Sequence, residues 1–226
     1  MSKPVTTGCD VPVITVDGPG GSGKGTITTR LANYLGWNFL DSGALYRLTA
    51  LAVMKRQVPL EDEIMLGEIA ANLDIRFETS GAEVVSWLDG DNVSDRLRFE
   101  DTGVMASKIA AIPAVRSALT GRQRRFRQVP GLVADGRDMG TVIFPDAELK
   151  IFLTASAEIR AQRRYKQLKE KGESVNLTRL FKEIKARDLR DQSRSIAPLR
   201  PAEDAVIIDS TELSIDEVFN KIVSLI

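Results

Sequence analysis

The chain has 226 residues, 43% of them hydrophobic and 27% charged, ordinary proportions for a soluble globular protein with one large core. Its 31 basic and 31 acidic residues cancel, so no bulk basic field points to nucleic acid, and with no histidine at all it has no histidine-dependent triad, metal site or general base. The one cysteine, Cys9, cannot form an internal disulfide and suits a reducing cytosol; no signal peptide or 18-residue apolar run suggests export or membrane spanning.

Residues 1–10 read as a loose tail. The β-rich run from Val11 to Val16 follows, and then Gly18-Pro19-Gly20-Gly21-Ser22-Gly23-Lys24-Gly25-Thr26 leads into a helical pattern at about 24–35. A strand, a glycine loop, a lysine and a helix in that order form a phosphate-binding loop for a nucleoside triphosphate. Glycines let main-chain N–H groups turn inward on phosphate oxygens, the helix adds its positive end, and Lys24 supplies a point charge. A plain glycine turn would leave Lys24 without a role. The usual hydroxyl residue after the lysine is Gly25 here and Thr26 follows, so Thr26 is expected to touch a phosphate and a metal ion to be held through phosphates and water.

Four more short apolar runs echo the first, at Trp37–Leu40, Leu132–Ala134, Leu149–Leu153 and Ala205–Ile208. Most end in Asp or Gly, and helices are expected between them at about 43–56, 62–73, 101–111, 113–128, 156–171, 176–193 and 214–225. Pro113 suits a first helical position, and Ser214-Ile215-Asp216-Glu217 reads as a capping box. The alternation argues for an α/β chain with a parallel sheet covered on both faces and ligands at the carboxyl ends of its strands. Residues 74–98 break the pattern with alternating apolar runs and the Asp89-Gly90 turn, a small antiparallel insert. The expected division is a core at about 11–42, 131–159 and 195–226, with excursions at 43–130 and 160–193.

Of the 31 basic residues 20 are arginine, and 14 of those lie between Arg116 and Arg200, which suits the handling of several phosphate groups. Asp41-Ser42-Gly43-Ala44-Leu45-Tyr46-Arg47 reads either as a second ligand site at a strand end or as a helix cap with an anchoring tyrosine. Asp135-Gly136-Arg137-Asp138-Met139-Gly140 follows the third strand: Asp135 could order water on Mg²⁺ and Arg137 could span two phosphates, or the segment is a polar turn with an internal ion pair. Arg122-Gln123-Arg124-Arg125-Phe126-Arg127, with a single aromatic, reads as a solvated basic face rather than a nucleic-acid site. Arg160, Arg163 and Arg164 share one helix, while Arg187, Asp191 and Arg194 form a stripe on the next. These are intrahelical ion pairs or a flap that closes over phosphates around an exposed tip at 169–172.

These segments resemble the bacterial type of cytidylate kinase across nearly the whole chain. Gly18 to Thr26 carries the pattern shared among nucleoside monophosphate kinases, and the segments starting at Asp41, Asp135 and Arg187 are more specific. The resemblance implies a P-loop three-layer α/β sandwich with a five-stranded parallel sheet, a monophosphate-binding lobe carrying the insert, and a helical lid. It implies an ATP-dependent phosphotransferase acting on CMP or dCMP with Mg²⁺; composition points to the cytoplasm with no nucleic-acid or membrane partner, and a monomer is the default because no stripe demands a partner. Ser107, Arg116 and Asp138 would read the cytosine, with Ser42 in the same site. Tyr46, Arg187 and Asp191 would hold the ribose, and Arg47, Arg137 and Arg194 the acceptor phosphate. Lys24 and the lid arginines Arg160 and Arg164 would neutralise the transferring group. The rival readings are a kinase for AMP or UMP and a non-enzymatic NTPase; a GTPase would need Asn-Lys-x-Asp, and Asn220-Lys221 lacks the Asp.

Overall fold

The computed structural model describes residues 11–80, 83–170, 172 and 174–226. The tail at 1–10 with Cys9, and Lys171 in the expected tip, lie outside them. Val13–Asp17 (β1) is buried at all five positions, as a central parallel strand of β-branched residues must be. It pairs in parallel with Leu132–Gly136 (β6) on one side and Leu149–Thr154 (β7) on the other. Asn38–Asp41 (β2) adds outside β6, and Val206–Asp209 (β8) outside β7, giving the parallel order β2-β6-β1-β7-β8.

The sheet strands end further along than their apolar runs suggest, because the terminal aspartates are themselves ladder residues. Asp41 pairs with Asp135, and Asp17 with Gly136. The acids therefore share one edge of the sheet, at its carboxyl end.

Helix Lys24–Leu35 (α1) starts from Gly23 in the left-handed region at φ 92°, a backbone only glycine adopts without strain. It packs with Ile215–Val223 (α8) over the face of β1 that carries Ile14 and Val16. The expected capping box at Ser214 and Glu217 is formed. Val13, Leu132 and Ala134 face the opposite way, onto Leu45, Met139 and Phe144, so the sheet is the middle of three layers.

A further core lies away from the sheet. It joins Ser42–Lys55 (α2), Glu63–Ala71 (α3), Glu100–Ile109 (α4) and Pro113–Arg124 (α5) through Leu48, Leu66, Ile109 and Leu119. The insert is a three-stranded antiparallel sheet of Ile75–Ser80 (β3), Glu83–Leu88 (β4) and Asp91–Asn92 (β5), with Asp89 and Gly90 both at positive φ in its second turn. Ala157–Glu170 (α6) and Leu177–Gln192 (α7) pack on each other, and α7 also reaches α4. No helix among the described residues is long and apolar enough to cross a membrane.

Two local features depart from the sequence reading. Helix α5 stops at Arg124 rather than 128, because Phe126 and Arg127 donate to carbonyls three residues back, which tightens the last turn as the chain descends to β6. The basic run there is only in part a solvated face: Arg124 and Arg125 are exposed, but Arg122 donates to the Leu73 carbonyl, Arg124 to Val142 and Ile143, and Arg127 to Val11 and to Asp146. The second feature is a π turn at Met139–Ile143, where periodicity shows nothing.

Candidate active site

The glycine loop lies at the exit of β1, and arginines from three other segments close on it. A Cβ placed on Gly20 would lie 3.5 Å from both Arg137 Nη2 and Arg187 Nη1. Arg160 donates to the Gly20 carbonyl at 3.1 Å and Arg163 to that of Ser22 at 3.3 Å. Lys24 is buried, with Nζ 3.2 Å from the Pro19 carbonyl and 3.7 Å from Asp135 Oδ1. Burial pushes Lys24 down to about 8, with Arg137 and Arg187 adding to it; burial also pushes Arg187 down to about 10, with Arg137 and Arg47. Cations that depress one another in this way surround a place where an anion belongs.

A cavity of about 660 Å³ opens over the loop from Gly21 to Ile27, walled by Arg163, Arg164 and Ser210. It is large enough for a nucleotide. A second cavity, of about 40 Å³, is lined by the two arginines that meet at Gly20, Arg137 and Arg187. Of the residues expected to hold the monophosphate, Ser42, Tyr46, Ser107, Arg116, Arg137, Asp138, Arg187, Asp191 and Arg194 all line it. Arg47 does not: it donates to the carbonyls of Leu97 at 2.6 Å and Phe99 at 3.2 Å. The other named residues belong to the loop itself, from Gly18 through Pro19 and Gly25 to Thr26.

The small cavity is filled by its own ion pairs. Arg116 and Asp138 are in direct contact, both buried. Arg137 Nε lies 3.2 Å and Arg194 Nη2 2.5 Å from the Asp191 carboxylate, which also accepts from Ser107 at 2.8 Å. Burial raises the Asp191 carboxyl, but Arg137, Arg194 and Arg187 outweigh burial and hold it below the usual carboxylate range. Burial pushes the Tyr46 phenol up to about 12, so it stays a neutral hydrogen-bonding group. Asp138 and Arg137 do not pair with each other; each pairs outside its segment, with Arg116 and Asp191. The stripe is likewise no private set of helical ion pairs: α7 ends at Gln192, so Arg194 lies beyond it, and Asp191 also binds Arg137 after β6 and Ser107 on α4.

Arg160 holds Asp188 with both terminal nitrogens, at 3.0 and 2.5 Å, and so ties α6 to α7. Arg164 donates to the Arg98 carbonyl at 2.8 Å and stands 3.8 Å from Glu100. Three participants carry no individual role in the sequence reading, Arg163 appearing there only as one of the flap arginines. Gln123 is fully buried and accepts from Ser42 at 2.7 Å; its place seven residues after Arg116 on α5 was the available signal. Arg163 also grips Ser210 beside the loop, through its hydroxyl and its carbonyl. Asp17 at the tip of β1 is the third.

The sheet order and the glycine loop define a P-loop nucleoside-triphosphate-binding protein with a guanidinium-lined second cavity. The family model described as cytidylate kinase matches residues 14–226. The chain belongs to the cytidylate kinase family. A cytidylate kinase from Aeromonas salmonicida (strain A449) is 59% identical over 92% of this chain and 90% of its own length. Those of Pseudomonas fluorescens (strain Pf0-1) and Stutzerimonas stutzeri (strain A1501) are 60% and 58% identical; the first alignment covers 94% of both chains, the second 95% of this chain and 94% of the relative.

Proposed function

We propose that the protein transfers the γ-phosphate of ATP to CMP or dCMP, giving ADP and CDP or dCDP. The observation that carries this is the meeting of Arg137 and Arg187 at Gly20, because it sets the small cavity tail to tail with the loop. ATP lies in the large cavity with its phosphates in the loop, and the monophosphate enters the small one. The acceptor is already an anion, so no general base is needed. Catalysis rests on alignment and on screening of the charge that spreads over the transferring group.

Cytosine offers an amino donor and ring acceptors. A carboxylate beside a guanidinium matches that edge, and Asp138 beside Arg116 is such a pair. Uracil reverses donor and acceptor at positions 3 and 4 and would turn an oxygen toward Asp138. Tyr46, Arg187 and Asp191 face the ribose, and Arg137 and Arg194 the acceptor phosphate. Arg47, turned to carbonyls here, joins them when α2 and α4 shift. In this reading α2–α5 with the insert are the monophosphate lobe and α6–α7 the lid, whose closure excludes water. Lys24, Arg160 and Arg164 supply charge to the transferring group.

Mg²⁺ fits the residues present. Among the described residues no cluster of three or more acidic or thiol side chains could cage a metal. Asp135 lies beside Lys24, with Asp41 next to it at the strand ends, and its Oδ2 is 3.5 Å from a Cβ position on Gly25. An ion that keeps most of its waters and leans on phosphate oxygens needs no more protein than that. Bound there through water by Asp135, it would neutralise phosphate charge. The enzyme then works in the cytosol, where ATP and CMP are found, as a monomer acting on small molecules.

The test is transfer of labelled γ-phosphate from ATP to CMP by the purified chain. Labelled CDP that disappears in Lys24→Ala is expected. ATP hydrolysis without labelled CDP would contradict the reading.

A further inference from the structure

Asp17 lines neither cavity, yet it is buried at the end of the central strand, where the phosphate loop begins. Its two carboxylate oxygens are divided between successive amides: Met139 N–H donates to Oδ1 and Gly140 N–H to Oδ2, both at 2.8 Å. Those amides open the π turn, immediately after Arg137 and Asp138. The Asp138 carbonyl is part of the same turn and accepts from Val142 at 2.9 Å and Ile143 at 3.2 Å.

The fit is close on the strand side as well. A Cβ on Gly140 would lie 2.8 Å from Thr15 Oγ1 and 3.2 Å from Lys150 Cγ and Cδ, so the turn is pressed flat on β1 and its flank. One hydrogen bond would fix a distance and leave the peptides free to pivot. Two bonds on consecutive amides fix the rotation too. An ionised carboxylate accepts at both ends, whereas an amide side chain of the same shape accepts at one and presents a donor at the other.

We propose that Asp17 is a positioning residue for monophosphate recognition. It pins the peptides that follow Arg137 and Asp138 to the strand carrying the phosphate loop, and so sets the distance between the acceptor site and the donor site. The inference rests on the reading of Arg137 and Asp138 as substrate contacts. Asp17 itself touches neither nucleotide.

The experiment is steady-state kinetics of full-length Asp17→Asn against wild type at pH 8, varying CMP, UMP and ATP in turn. The expected result is a rise of roughly tenfold or more in KM for CMP, with KM for ATP within about twofold, because the loss of one buried charge-assisted bond falls on one side of the site. The preference for CMP over UMP in kcat/KM should fall with it, a readout that general loosening of the fold would not move selectively. If Asp17→Asn does not fold, Asp17→Glu keeps both acceptors on a longer arm and is expected to shift the same parameters in the same direction. Unchanged KM for CMP, or equal changes for CMP and ATP, overturns the inference. A wild-type protein inert toward CMP would sink the functional reading, and the inference with it; an active wild type with an indifferent Asp17 variant overturns the inference alone.

Discussion

Arg137 Nε donates to Asp191 Oδ2 at 3.2 Å, across 54 positions of sequence. The contact joins the turn after β6 to the last turn of α7. Asp191 gathers Arg194 from beyond the helix and Ser107 from α4 onto the same carboxylate. One carboxylate among three guanidinium groups leaves a surplus of positive charge, and a phosphate dianion is the natural complement. In the proposed reading, the phosphate of CMP takes over from Asp191 as the partner of these guanidinium groups.

Asp191→Asn removes the shared counter-ion and leaves Arg137, Arg187 and Arg194 facing one another in a buried site. The expected loss of stability is about 3–5 kcal/mol, the cost of orphaned buried charge. Urea unfolding measures it, and added CMP should restore more stability to the variant than to wild type. A variant as stable as wild type without ligand would contradict the hub described above.

Arg137→Ala should lower kcat by about 10²–10³, the usual effect of removing one preorganised charge from a transferring group. Its melting temperature should stay near that of wild type once CMP is bound. Near-normal turnover would remove Arg137 from the phosphate site.

Asp138→Ala should raise KM for CMP by about 10–100-fold through the loss of a charged hydrogen bond, with KM for ATP little changed. The two constants can be read in a coupled assay on one preparation. Equal rises in both would count against cytosine readout by Asp138.

The architecture was legible because each element carried its own signal. The loop glycines, the β-branched run of β1, the Ser214 capping box and the Asp89-Gly90 turn all lie where local chemistry puts them. The site was legible through charge: arginines and aspartates clustered at strand exits and on α7. Three things were not. Gln123 and Arg163 act through partners far away in sequence, Ser42 and Ser210, which spacing along one helix does not reveal. Arg47, expected at a phosphate, donates instead to the carbonyls of Leu97 and Phe99, fifty positions away, which local sequence does not foretell. The π turn has no periodic signature, and the carboxylate that holds its first amides, Asp17, lies 122 positions away on the neighbouring strand.

That carboxylate also gives a pH signature. Burial first, then the charges of Asp138 and Asp135, push it up to about 7, against the amide bonds that lower it. The native state therefore keeps a proton that the unfolded chain releases near its ordinary value of 3.8. The contribution to stability is full below that value and is lost as pH rises toward 7. Between pH 5 and pH 8 wild type should lose on the order of 2 kcal/mol relative to Asp17→Asn, which cannot titrate. Urea unfolding of both proteins at the two pH values gives the difference directly, and a constant difference would contradict it.

The most direct test of the whole account is ATP consumption by the purified protein with CMP, UMP, AMP and GMP supplied in turn. Rapid consumption is expected with CMP, far less with UMP, and background rates with AMP and GMP. Equal rates with all four, or a preference for a purine monophosphate, would contradict it.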